Sequence, residues 1–309
     1  AIFDECDLTG ANFSGASLKS AGFEKADLSG IQLAGHDLTM TRFKEANLTG
    51  ADLSGAKLWM SDLSESILKN ANFTKVECKS TNLAYADIEG LILKDATLQC
   101  DLSDVNYDHL PFQGQVMQRC MFRSSDLSGR DLSDCDLTGS LFHMANLKGA
   151  KFTGSKLHMA NFAEAELEGT DFEGVQAPMA IFANAKLHKT KLRAANLRNA
   201  IFPESEALGA DFSGCDLRET VWLNANLTGS AFDGANLGHA EMSYATLDAA
   251  VFDGADLTWA NLHGVLEKNT QWGSAIRAKA RKTDDDRLHG EVGYRPPTPE
   301  ELAEMESKS

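Results

Sequence analysis

The chain has 309 residues, and 29 Lys and Arg against 45 Asp and Glu give it a formal net charge of −16. This balance argues against direct binding of nucleic acid, because its phosphates repel an acidic surface. The sequence lacks the apolar run of about eighteen residues that a membrane-spanning helix needs, so no such span is predicted.

A large apolar residue recurs at every fifth position from Phe3 onward. The series slips back by one residue after Leu98, restarts at Leu102 and continues to Leu262, and all 16 Phe residues lie on it. The residue two places earlier is small, and Asp or Asn often stands between them, as in Ala11-Asn12-Phe13. A period of five fits neither a helix nor an ordinary strand. It indicates a repeat solenoid.

The unit Ala-(Asp/Asn)-(Leu/Phe)-x-x resembles that of the pentapeptide repeat family, from residue 1 to about residue 264. The resemblance implies an all-β solenoid, a right-handed quadrilateral parallel β-helix with four units to a coil. The Leu or Phe and the small residue would point inward. With four units to a coil, the repeats up to about residue 264 predict about 13 coils. Stacked at strand spacing, these coils make a rod of roughly 60 Å. Phe is expected to line two opposite sides of the second half of the rod.

We divide the chain into four parts. Residues 1–98 form a first stack, residues 122–264 a second stack, and residues 265–309 a C-terminal cap and tail. Residues 99–121, with Tyr107 on the grid and Pro111 removing a backbone donor, predict a kink, bulge or short protruding loop. Related gyrase-binding members of the family carry functional loops, so this slip is a candidate site. The alternative is a tolerated register fault.

The pattern also breaks where an inward position does not carry its usual large or small residue. Ala177 and Ala207 replace a grid Leu and predict under-packing or a small bulge. Arg130 takes a small inward place. A buried guanidinium is costly, so Arg130 is expected to turn outward or to pair with a carboxylate.

After Leu262 the repeat weakens, although Trp272 still lies on the grid. Residues 274–282 have helix-forming composition after Ser274 and predict a helical lid over the end of the solenoid. Residues 283–299 are expected to be an exposed linker. Thr298, Pro299 and Glu301 have the spacing of a capping box and predict a short terminal helix to Met305.

All six cysteines occupy inward places, which predicts that they pack in the core. Cys100 and Cys120 are expected to be neighbours in adjacent coils, where a disulfide is geometrically possible. No Cys-x-x-Cys or paired His spacing occurs, so neither a metal nor a cofactor is predicted.

Two surface features are candidate binding sites. One is an apolar stripe at the outward place just before the grid residue, where Asp or Asn is usual: Met121, Leu141, Ile181, Ile201 and Val221. The other is a basic belt within residues 174–203, which contain no Asp or Glu: Lys186, Lys189, Lys191, Arg193 and Arg198. A contiguous apolar stripe on a rod predicts a contact surface for a partner, for another copy of the rod or for the C-terminal segment.

No Ser-His-Asp arrangement, phosphate loop or metal motif is present, so we expect no enzymatic activity. The leading hypothesis is a protein-interaction scaffold or adaptor rod, either free-standing or a domain of a larger, secretion-associated protein, with a homodimer as one form of contact. The alternative that the resemblance implies is a B-DNA-mimicking protein that binds DNA gyrase and confers resistance or self-protection. Because the repeat already occupies Phe3, no secretory signal is expected, and cytoplasm is the default compartment.

Overall fold

The computed structural model describes residues 1–108, 110, 112–284 and 288. Their backbone winds into a four-sided β-helix in which parallel bridges join residues 20 positions apart, as in the series Ile2, Gly22, Arg42 and Asp62. Each side of a coil usually contributes one bridge residue and is followed by a tight turn, so few segments are long enough to be strands. These are β1 (Lys57–Trp59), β2 (Glu77–Lys79), β3 (Thr81–Asn82) and β4 (Cys100–Asp101).

Strand β1 pairs in parallel with β2, and β3 pairs in parallel with β4. We number the four faces of the rod in chain order, starting with the face that carries Ile2 and Gly22. In the second stack, face 1 carries Leu141, face 2 Asn146, face 3 Lys151 and face 4 Lys156, each bridged to the residue 20 positions on. The described part of the chain contains no apolar helix long enough to span a bilayer.

Columns of stacked phenylalanine rings fill the core of the second stack. On face 1 the ring of Phe182 stacks on Phe162 at 5.0 Å and on Phe202 at 4.7 Å between centroids. On face 3, Phe152 and Phe172 stack at 4.8 Å, and Phe172 meets Phe162 edge-on at 5.5 Å. The expectation that Phe lines two opposite sides is confirmed. Small residues at the other inward place let these large rings close-pack.

The repeated Asp or Asn has a local role at the corners of the coil. In the first coil the Asp7 carboxylate accepts the backbone N–H of Thr9 at 3.0 Å, and the Asn12 amide oxygen accepts that of Ser14 at 2.9 Å. Such bonds close the turn that follows. Many of the carboxylates that make the rod acidic therefore serve to close turns.

The two Ala residues on the grid do not disturb the ladder. Bridges continue from Gln176 to Asn196 and from Glu206 to Asn226, and Ala177 and Ala207 are fully buried. The predicted bulge at these two places is therefore wrong.

The helix predicted for residues 274–282 is also wrong. Ile276 bridges Asp256 and Arg281 bridges Asn261, so this segment continues the coil. Trp272 stacks on Phe252 at 4.7 Å, and the guanidinium of Arg277 lies 4.6 Å from the centre of the Trp272 ring. The ladder therefore overrides local helix propensity here. The predicted helix at residues 298–305, and most of the linker before it, lie outside the described residues.

Five of the six cysteines are buried as predicted, and all six are free thiols. The prediction is wrong for Cys6, which is exposed because the first described coil has a neighbouring coil on one side only. The Cys100 N–H faces the Cys120 sulfur at 3.4 Å, so these two residues are neighbours as predicted, without a disulfide. Burial raises the pKa of the Cys120 and Cys215 thiols to about 12. They are therefore protonated packing groups at neutral pH.

Candidate functional site

The register slip is a unit that lacks one residue. Glu77 bridges Thr97, 20 positions on, but Thr97 bridges Val116, only 19 positions on. The offset of 19 appears again between β3 and β4, where Thr81 pairs with Cys100. The unit of residues 96–99 therefore has four residues, and the corner residue that would follow Gln99 is missing. We call the resulting gap, between Ser80 and Arg119, the notch.

The coil that follows the slip is paired with its neighbours by backbone bridges on some faces and not on others. Bridges join it to its neighbours at Val116 on face 4 and at Met121 on face 1, whereas Asn106 on face 2 has no bridge. Side chains take over on that side. The Tyr107 hydroxyl bonds to the Leu102 carbonyl and lies 2.9 Å from Ser125 Oγ. The junction is thus a place where side-chain contacts replace backbone pairing.

Arg130 lies at this junction and forms an ion pair with the Asp108 carboxylate of the coil before it. Its Nε is buried and has no hydrogen-bond partner within the described chain. The prediction that Arg130 pairs with a carboxylate is therefore confirmed.

Open grooves surround the slip. One of about 450 Å³ lies on face 4, between Trp59, Lys79, Gln99 and Arg119. A second of about 260 Å³ lies on face 1 and also contains Gln99 and Arg119, together with Met121. The two grooves therefore meet across the corner at the notch.

The predicted apolar stripe is one continuous column on face 1. Bridges connect its members in order, including the polar Asn161 in the middle: Met121, Leu141, Asn161, Ile181, Ile201 and Val221. Each of these side chains is half-buried between its neighbours. The column is thus a low ridge of packed side chains.

The apolar area is wider than this column. The residues two positions further along face 1 form a second outward column, which is small or apolar in four consecutive units: Ala163, Ala183, Pro203 and Leu223. Both corners of the face carry methionine. Met159 and Met179 precede it and Met144 follows it, and these side chains are 52%, 49% and 53% exposed. We call the two columns with these methionines the apolar face.

The corner methionines occupy the left-handed backbone conformation that recurs at the corners of this rod. Their φ angles are 59° at Met144, 57° at Met159 and 60° at Met179, in the left-handed region. A residue with a Cβ costs about 1–2 kcal/mol there. The same cost applies to every residue other than Gly at the corners of the rod, so the backbone conformation does not itself select methionine. Methionine is common at adaptable binding surfaces, which favours a binding role.

The comparison with protein families agrees with this geometry. The family model described as pentapeptide repeats matches residues 1–33, 26–58, 61–99, 145–177, 180–219, 209–240 and 231–266. The chain belongs to the pentapeptide repeat family. The stretch between residues 99 and 145, which contains Arg119 and the coil after the slip, is outside these matches. A search of curated protein sequences gives no match.

Several solved pentapeptide repeat proteins are similar to this chain. HetL, from the cyanobacterium Nostoc, is involved in regulating heterocyst differentiation; it is 22% identical, with 80% of this chain and 88% of HetL covered, at a TM-score of 0.33. QnrB1, a plasmid-mediated fluoroquinolone resistance protein, is 20% identical, with 59% and 91% covered, at a TM-score of 0.30. A thylakoid-lumen protein from Arabidopsis thaliana is 24% identical, with 58% and 75% covered, at 0.18. At these values the likeness supports no functional conclusion.

The basic belt of this pentapeptide repeat rod is distributed over three faces, because its members belong to different columns. Lys186 pairs with Glu166 at 3.2 Å, and Arg193 faces Asp211 at 3.7 Å. Arg198 pairs with Glu219 at 2.5 Å. Lys189 and Lys191 form no ion pair within the described chain. Exposed pairs of this kind contribute little stability. They do neutralise much of the belt, since adjacent coils supply the opposite charge.

Proposed function

We propose that this pentapeptide repeat protein is a non-enzymatic docking rod that binds a protein partner through the apolar face. The observation that carries the proposal is the continuity of that face. Ile181, Ile201 and Val221 are adjacent rungs of one ladder where Asp or Asn is the usual residue. Contiguous apolar surface on a soluble protein is a mark of contact sites.

The composition of the face suits a protein partner. Aliphatic side chains form its centre, and its corners carry Met144, Met159 and Met179 together with charged groups such as Glu164 and Glu204. An apolar centre with a polar rim is the usual anatomy of a protein interface. The rigid ladder also presents these side chains in fixed positions, so little conformational entropy is lost on binding.

The chemistry of the carboxylates is consistent with a non-catalytic rod. The Asp126 and Asp131 pKa values are lowered chiefly by hydrogen bonds from Ser128 and Ser133, their own turn residues. Such shifts belong to corner closure. A catalytic acid is instead recognised by a pKa moved toward neutrality in a cleft.

Site-specific photo-crosslinking tests the proposal. A benzophenone amino acid is placed at Ile181 on the apolar face or, as a control, at Gln176 on face 4, the same place of the preceding unit. We expect a discrete crosslinked protein band from position 181 and none from position 176, in host cells or with a second copy of the chain. Equal crosslinking from both positions, or none from position 181, would contradict a docking role for this face.

The gyrase-directed alternative is favoured by one observation, the acidity of the rod. Residues 1–264 hold nearly the whole excess of acidic groups. The charge distribution along face 3 weakens this alternative, because negative and positive side chains alternate there. The bridged series is Asp131, Lys151, Asp171, Lys191 and Asp211. Duplex DNA presents an unbroken line of negative charge.

A supercoiling assay with purified DNA gyrase separates the two candidates. We expect no inhibition of supercoiling and no protection against a fluoroquinolone at micromolar concentrations of the rod. Inhibition that is lost when acidic residues of face 2 are replaced would favour the DNA mimic over the docking rod.

A further inference from the structure

We propose that the notch binds an extended peptide segment that carries a carboxylate beside an apolar residue. The inference rests on the proposed docking role and deepens it, because it names the chemistry of the segment bound at one end of the apolar face. Three features of the notch support this: backbone groups left without partners, an unpaired guanidinium, and apolar side chains on both sides of the corner.

The backbone at the notch lacks one rung of its ladder. At this corner of other coils, the N–H of the corner residue donates to a carbonyl in the next coil, as from Met60 to Lys79 at 2.8 Å and from Arg119 to Thr138 at 2.9 Å. The missing residue would donate to the Gln118 carbonyl, and the Gln99 carbonyl, the regular acceptor for Ser80 N–H, accepts Thr81 N–H at 3.3 Å instead. Ser80 N–H and the Gln118 carbonyl therefore have no hydrogen-bond partner in the described protein. One peptide unit from a partner would satisfy both, as in strand addition at a sheet edge.

The charge at the notch selects for an anion. Arg119 borders both grooves and forms no ion pair within the described chain. The neighbouring Gln118 amide is engaged with Asp136 Oδ2 at 2.8 Å. The two carboxylates of the lining are Glu77 and Asp101, and Asp101 accepts the Ser103 N–H at 2.9 Å. An arginine without a partner is well suited to bind a carboxylate with two hydrogen bonds.

Apolar side chains flank the corner on both faces. On face 4 the Trp59 ring lies 5.5 Å from the Lys57 ammonium and 5.4 Å from the Lys79 ammonium, which orders its position. On face 1 the groove reaches Met121, the first member of the apolar column. A segment that crosses the corner would therefore contact Trp59 or Met121 next to the carboxylate site.

A peptide suits the notch better than a phosphate-rich ligand. The acidic rod and the two lining carboxylates repel a multiply charged anion, whereas a single carboxylate needs only Arg119. The unpaired N–H and carbonyl call for a ligand that offers both an acceptor and a donor. A peptide backbone does so.

Selection from a random twelve-residue peptide library displayed on phage, with the purified chain as target, tests the inference. Recovered peptides are synthesised and titrated by fluorescence anisotropy. We expect an Asp or Glu beside an apolar residue, and at least tenfold weaker binding to Arg119→Glu. A second variant, with one Asn inserted between Gln99 and Cys100, restores the five-residue unit and fills the notch. It should fold with the same circular dichroism spectrum and lose binding to the same degree.

The variant Ile181→Asp with Ile201→Asp serves as the control, because it alters the apolar face and leaves the notch intact. Peptides that bind this control as they bind the original chain support the notch. Recovery of no binder, of binders without an acidic residue, or of binders unaffected by both notch variants would overturn the inference. The docking role would then still be judged by crosslinking at position 181. If the insertion variant does not fold, the Arg119→Glu titration decides.

Discussion

Replacing Phe182 with Ala should destabilise the rod by about 3–5 kcal/mol, the range for removing a buried Phe. Phe182 is fully buried and stacked between Phe162 and Phe202. Truncation removes both stacking contacts and leaves a cavity that a ladder locked by bridges on four sides cannot close. The free energy of unfolding, from urea denaturation followed by circular dichroism, measures the effect.

Phe3→Ala is the matched control. Phe3 belongs to the same face-1 column, but it lies in the first coil, is only half-buried, and stacks on one ring, Phe23, at 5.2 Å. Its removal should cost clearly less than that of Phe182. A solenoid of stacked coils is stabilised mainly by contacts between nearest neighbours, so a central break is the more damaging. Equal costs for the two variants would contradict this account of the core.

The regular part of the fold could be predicted from the sequence because each unit repeats one packing problem. Large residues at every fifth place and small residues two places earlier determine which side chains point inward. Phe162 and Phe172 can therefore be assigned to opposite faces from their spacing of ten residues alone. The pairing of Arg130 with a carboxylate could be predicted because an unpaired buried charge is costly.

The end of the described coil could not be predicted in the same way. Glu267 and Arg277 occupy grid places that are apolar elsewhere, and residues 274–282 have good helix propensity. In the preceding coil the Ala255 and Ala260 carbonyls accept the Ile276 and Arg281 N–H groups, each at 2.8 Å. These ladder bonds override the local helix propensity. A polar final coil suits the end of a solenoid, because its outer side meets water.

The candidate site was predicted in part. The central column, from Met121 to Val221, was visible as apolar residues spaced by twenty positions. The second column was missed, although the same spacing applied to Ala163, Ala183 and Pro203 would have found it. The notch was located as a slip, but its unpaired backbone groups depend on which residue of the unit is missing, and that required the ladder itself.

The double variant Ile181→Asp with Ile201→Asp should weaken binding of the partner found by crosslinking about a hundredfold, since two central apolar contacts are typically worth about 3 kcal/mol together. Asp is the usual residue at this place of the unit, where its carboxylate closes the turn, so both substitutions fit the fold. Binding is measured by isothermal titration calorimetry or, for a second copy of the chain, by light scattering.

The matched control is Gln176→Asp with Asn196→Asp, an adjacent pair on face 4 that adds the same charge at the same place of the unit. We expect this control to bind like the original chain, with both variants showing the same thermal unfolding. Both variants add two carboxylates, but only the first removes apolar side chains, so equal loss of binding would assign the effect to net charge and remove the apolar face as the docking surface. Unchanged binding in both would place the partner elsewhere on the rod.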